Sequence, residues 1–339
     1  MTQEAFAEHL HVHVRTVAYW RQRPDSIPRL AIKNILDEAL ENAPGQVQTR
    51  FLLLLEGTGI EEGLLPASLS AELNPDEQER IRSVLVSPTQ LDAATVANLT
   101  QALYAQRHAE DSLGPRIMIA PMNAQLDTYA SLLRESSGPH RGPLMHLVAN
   151  WTTFIGWLHT ALHEYPAADA SFAKAEELSD EIDDGILAST ATSYRGYIAL
   201  LQGRYRAAIR ATSAALSTPG AHPTQVAYDT LQAGQAYAGM GDIREAKNLL
   251  HRASDLVTNA GEPPESLYWY TEPFLRMNIG LTQHSIGQHR DAVDSLTSGI
   301  AELPADQRNA QWLEDYQQAL DLSNAQTDAH EDPPAAERE

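Results

Sequence analysis

Cysteine is absent from all 339 residues. That absence excludes a disulfide framework, a thiolate zinc site and thiol catalysis together. Long apolar runs are missing too. The longest, Phe51–Leu55, falls far short of the ~20 residues that span a bilayer. The N-terminus lacks the layout of a signal peptide, so the chain is expected in the cytoplasm, with no membrane partner. There is no HExxH, no phosphate-binding glycine loop and no serine elbow. Catalytic residues, metal and cofactors are accordingly expected to be none. No alternating strand pattern of useful length occurs, and the fold class is read as all-α.

Positive charge is also scarce: 24 Lys and Arg face 45 Asp and Glu, a formal net charge of -21. The imbalance is uneven. Residues 1–33 carry Arg15, Arg21, Arg23, Arg29 and Lys33 against Glu4, Glu8 and Asp25, a net of +2, which leaves -23 for the remainder. An acidic body with a basic head argues against nucleic acid everywhere except the head.

What the chain does contain is a register of small residues. Gly156, Gly196, Gly234 and Gly280 are each followed twelve residues later by alanine, at Ala168, Ala208, Ala246 and Ala292. Seven residues further stands another tiny side chain: Ala175, Ala215, Ala253 and Gly299. Such a period marks stacked helical hairpins, where partners approach closely. Gly203, Gly241 and Gly287 fall between the two helices of their pairs, where a left-handed helix-ending residue is wanted; His163 holds that place in the first pair. Phe172 fills the large slot after Ala168, with Leu250 and Leu296 in the third and fourth repeats, Thr212 in the second, and Pro304 closing the last. These residues resemble the tetratricopeptide pattern, with glycine-to-glycine steps of 40, 38 and 46 residues against about 34 in the standard repeat. The resemblance implies a right-handed superhelical array of helix pairs, with one lengthened loop at 261–266.

Helical periodicity also covers 3–10, 14–22, 29–42, 46–55, 76–86, 94–113, 117–136 and 309–322. Residues 56–78, rich in Gly, Pro, Ser and acid, read as a linker. Residues 325–339 hold five acids and no apolar side chain larger than alanine, which predicts disorder. The expected organisation is a DNA-binding head at 1–45, a helical segment and linker at 46–90, the repeat array at 91–325 and an acidic tail at 326–339.

In the head, Ala7 is small where two helices must cross, Leu10 and Val12 flank a turn, and Val17 and Trp20 anchor the second helix. These positions resemble the lambda-repressor-like (Cro-type) helix-turn-helix, whose second helix lies in the DNA major groove. The resemblance places His13, Arg15, Thr16 and Tyr19 toward base edges and Gln3, Arg21 and Arg23 toward phosphates. His11 stands where that motif usually has glycine, and the head is expected to lack the motif's first helix. The whole layout is similar to bacterial transcriptional regulators with a Cro-type head and a C-terminal tetratricopeptide array. It implies a homodimer on double-stranded DNA, reading two half-sites, and a peptide or protein ligand whose binding changes the dimer or the head orientation. An interaction scaffold with a degenerate head is the alternative.

Helical spacing from the glycines turns one face of each first helix inward. It carries Asn150, Thr153 and Trp157, then Ser193, Tyr194 and Tyr197, then Tyr228, Leu231, Gln232 and Gln235, and finally Phe274, Met277, Asn278 and Leu281. Of these, Asn150, Trp157, Tyr194, Tyr197, Tyr228, Gln232, Phe274 and Asn278 are the expected ligand-groove residues. Aromatic rings supply contact area, and amides can hold a peptide backbone. Acids are few on these faces, so a strongly basic ligand is not expected. His159 and His163 stand at i, i+4, a spacing that suits a metal but lacks a third ligand.

Overall fold

A computed structural model of the chain describes residues 3–22, 75–304 and 310–331, with isolated positions between them. The helices expected over 29–42 and 46–55, nearly all of the linker, Arg23 and residues 332–339 lie outside the described residues. The described residues fall into two compact units, Met1–Glu62 and Gly63–Glu339. Among them are fourteen α-helices and no strand, and no helix is long and apolar enough to cross a membrane.

In the first unit α1 (Gln3–His9) and α2 (Val14–Gln22) meet through the buried Ala7, Leu10 and Val17. His11 makes the reversal at φ +52. Its N–H donates to Glu8 O, and the Val12 N–H to Ala7 O. These paired bonds satisfy the last carbonyls of a helix that ends in a left-handed residue. Histidine tolerates that conformation better than a branched side chain.

The second unit opens with α3 (Pro75–Val86), α4 (Ala93–Leu113) and α5 (Pro115–Glu135). α3 buries Ile81, Val84 and Leu85 and packs on α4, so helical packing already begins upstream of residue 91. Four helix pairs follow: α6 (Arg141–Ala161) with α7 (Tyr165–Glu181), and α8 (Gly185–Leu201) with α9 (Tyr205–Ser217). Then come α10 (Pro223–Gly239) with α11 (Ile243–Asn259), and α12 (Glu272–Ser285) with α13 (His289–Glu302). Each first helix lies against its own partner and against the next pair.

The small-residue register explains this stacking. Ala168, Ala175, Ala208, Ala215, Ala246, Ala253 and Ala292 are each 0% exposed. A Cβ added at Gly156 would meet the Phe172 ring at 2.6 Å, and one at Gly280 would meet Leu296 Cγ at 2.6 Å. The four intra-pair turns share the device seen in the head. Gly203, Gly241 and Gly287 have φ of +67, +83 and +79, and His163 adopts +61 in the same place.

α14 (Glu314–Glu331) closes the array, with Leu313, Tyr316 and Ala319 packed on Met277, Leu296 and Leu303. It runs on through 326–331, into the stretch expected to be disordered. No glycine or proline interrupts it before Pro333, and extending an existing helix gains one hydrogen bond per residue without a new nucleation cost.

Candidate functional site

Of the head residues named above that are described, Arg15, Thr16, Tyr19 and Arg21 lie on α2, His13 directly precedes it and Gln3 opens α1. His13, Arg15 and Tyr19 are exposed, while Thr16 and Gln3 are half-buried. Arg21 lies within α2. His13 Nδ1 accepts the Arg15 N–H at 3.1 Å, so one ring nitrogen caps the helix. Arg15 and Tyr19, four residues apart, share one helical face.

The repeat unit holds a cavity of about 750 Å³, including its open mouth. α4 supplies Arg107, Glu110 and Asp111; α6 supplies Thr153, Phe154 and Trp157; α8 supplies Tyr194 and Tyr197. Tyr228 comes from α10 and Phe274 from α12. The connection between α11 and α12 adds Tyr268, Trp269 and Tyr270, the turn into α14 adds Trp312, and α14 itself adds Tyr316.

The rings form a chain whose two ends both come back to α4. Centroids step from Trp157 to Tyr194 (5.9 Å), Trp269 (6.3 Å), Tyr270 (5.3 Å), Phe274 (5.7 Å) and Trp312 (5.9 Å), all within the range of favourable aromatic pairs. Both ends are indoles anchored to neighbouring residues of α4. Trp157 Nε1 donates to Glu110 Oε2 at 3.1 Å, and Trp312 Nε1 donates to Asp111 Oδ1 at 3.1 Å. Asp111 Oδ2 also accepts from Gln307 Nε2 and the Tyr268 hydroxyl, each at 3.4 Å.

Glu110 and Asp111 are 6% and 7% exposed. Burial pushes the Glu110 carboxyl up to about 7, opposed by the Trp157 hydrogen bond and reinforced by the charge of Asp111. Burial raises Asp111 as well, against its bonds from Trp312, Gln307 and Tyr268. Arg107 is 3% exposed and its guanidinium is disfavoured by burial. It donates from Nη1 to Ser266 O (3.1 Å) and from Nη2 to Asn150 O (2.8 Å) and Asn150 Oδ1 (3.2 Å), while Nε has no partner. Its carbon lies 5.7 Å from the ring centroids of both Phe154 and Trp269.

Trp157, Tyr194, Tyr197, Tyr228 and Phe274 of the expected groove are thus brought to one cavity. The three amides are not on its wall. Asn150 holds Arg107, Gln232 Nε2 donates to Ser193 O, and Asn278 Nδ2 donates to Phe274 O and the Tyr316 hydroxyl. Register explains the split. Phe154, Tyr194, Gln232 and Asn278 all stand two residues before their register glycine, yet only the first two face the cavity. In the third and fourth repeats the lining residues, Tyr228 and Phe274, stand six before it. The cavity crosses the array obliquely, and the amides drop behind its wall into helix-helix contacts.

The cavity residues supplied by α4, itself expected as a helix over 94–113, and by the connection before α12 stand outside the faces read from the sequence. Three consecutive aromatics at 268–270, in a chain only 6% aromatic, were a usable signal. Arg107, Glu110 and Asp111 were not, because a charged run on a helix has the pattern of a solvated face. Their presence removes the premise on which a basic ligand was set aside. His159 Nδ1 sits 2.6 Å from Glu164 Oε2, and among the described residues no three metal-binding side chains gather. Compared with known proteins, the chain matches no family model and shows no significant similarity to a curated protein.

Proposed function

We propose that this chain is a ligand-responsive DNA-binding regulator. Its tetratricopeptide-like, right-handed array receives a peptide or protein signal in the aromatic cavity, and its Cro-type head reads double-stranded DNA as a homodimer. The observation that carries the reading is the convergence of Trp157, Tyr194, Tyr197, Tyr228 and Phe274, from four successive repeats, on one open cavity. Apolar pockets with a few placed polar groups are the usual form of a ligand site. For the head, the support is the short helix pair with Arg15 and Tyr19 exposed on its second helix.

Selection of duplexes from a random DNA library by the full chain tests this. The expected product is an inverted repeat with half-sites about 34 Å apart, and Arg15→Ala should relax base preference by about 1–3 kcal/mol. A library that emerges unenriched, while the array still binds a ligand, would leave the scaffold with a degenerate head as the better reading.

A further inference from the structure

The cavity's charge and ring arrangement narrow the kind of ligand it accepts, given the reading above that it is a ligand site. We propose that it seats the ammonium group of an organic cation, held between the aromatic ring chain and the Glu110–Asp111 pair.

The charge balance comes first. Two carboxylates line the cavity against one guanidinium, so with both ionised it is one positive charge short. Arg107 does not pair with either acid, because its donors go to the carbonyl oxygens of Ser266 and Asn150 and to the side chain of Asn150. Glu110 Oε2 takes the Trp157 N–H, and among the described residues Oε1 takes no hydrogen bond. A carboxylate buried without a countercharge is costly, and a monocation would restore neutrality.

The walls provide the second argument. Trp157 and Trp312 spend their N–H groups on the carboxylates, so they offer ring carbon to an occupant. Ring faces are negative and attract cations within about 6 Å. This wall already does so, since Arg107 stands 5.7 Å from the centroids of Phe154 and Trp269. An anion would meet two carboxylates, and a neutral occupant would leave Glu110 to keep its proton and gain nothing from its charge.

The ammonium can come from a free quaternary amine or from a lysine side chain of a peptide. Isothermal titration of the full chain with choline, with N-acetyl-lysinamide and with 3,3-dimethylbutanol, the neutral isostere of choline, separates these. At least one ammonium probe should bind about tenfold or more tightly than the isostere. Glu110→Gln should weaken that probe by about tenfold and leave the isostere unchanged, with the thermal melt confirming the fold. A cation beside Glu110 favours its ionised form, so binding should release a proton and tighten from pH 6 to pH 8. The charged and titratable groups around Glu110 are Arg107 and Asp111 on its own helix, Tyr194 on α8 and Tyr268 before α12. Burial raises both phenols further from this range.

Equal or tighter binding of the isostere, or no loss in the Glu110 variant, overturns the proposal. If no ammonium probe binds but p-cresol quenches the tryptophans, the cavity stands as a ligand site and its cation preference falls. If nothing binds, both fall.

Discussion

Gly156 and Phe172 face each other so closely that a Cβ on the glycine would lie 2.6 Å from the ring. Phe172 is 0% exposed and stacks on Tyr194 at 4.8 Å and 5°. A methyl group at 156 therefore displaces a ring that supports a cavity wall. Gly156→Ala should cost about 1–3 kcal/mol, the usual range for overpacking, and should also change the fluorescence of Trp157, whose ring centroid lies 5.9 Å from that of Tyr194. A variant with unchanged melting and emission would argue that the helices can separate freely.

Arg107 ties α4 to α6 and to the connection before α12 through its bonds to Asn150 and Ser266. Hydrogen bonds from a buried charged donor contribute about 1.5–3 kcal/mol each. Arg107→Met should lower stability by at least about 2 kcal/mol. Arg107→Lys should recover little, because one ammonium cannot reproduce the planar fork. Full recovery by lysine in a denaturant titration would show that charge alone matters.

Asp229 is 0% exposed, and burial pushes its carboxyl up to about 7 against hydrogen bonds from Ser193 (2.5 Å) and Gln225 (3.0 Å). The native carboxyl keeps its proton to higher pH than the unfolded chain does. Its contribution to stability is full below about pH 4 and is lost as pH rises through about 7. The melting temperature of Asp229→Asn, relative to wild type, should therefore be higher at about pH 8 than at about pH 5. An offset that is the same at both values would return the carboxyl to its ordinary range.

His163 occupies the left-handed turn position at φ +61, where the other three repeats use glycine. His163→Gly should stabilise the array by roughly 0.5–1 kcal/mol, since a side chain in that region is strained. A lower melting temperature for this variant would show that the imidazole's packing near Tyr165, at 5.9 Å between ring centroids, outweighs the strain.

The helix pairs were legible because close helix contact demands a small residue at a fixed place, whatever else the repeat carries. Gly156, Ala168 and Ala175 therefore announce the fold without help from their neighbours. Ligand-facing positions have no such fixed place. Phe154 and Asn278 share a register position, and only one of them reaches the cavity. Each pair is offset from the last, and that offset is a property of the assembled array. Glu110 and Asp111 were hidden for a different reason. Their environment is made by Trp157, Trp312, Gln307 and Tyr268, between 47 and 201 residues away in sequence. In the head, the residues showed only a break at 11–13; that His11 makes the turn followed from the resemblance to the helix-turn-helix, and it does so at φ +52.

Asp111 and Trp312, 201 residues apart, hook the start of the second unit to its end. Stacked pairs touching only their neighbours behave as an open spring, with compliance shared along the length. Here α4 is tied to the far end as well: Asp111 accepts from Trp312, Gln307 and Tyr268, and Arg107 donates to Ser266 O. Separating the two ends therefore means breaking hydrogen bonds that also shape the cavity wall.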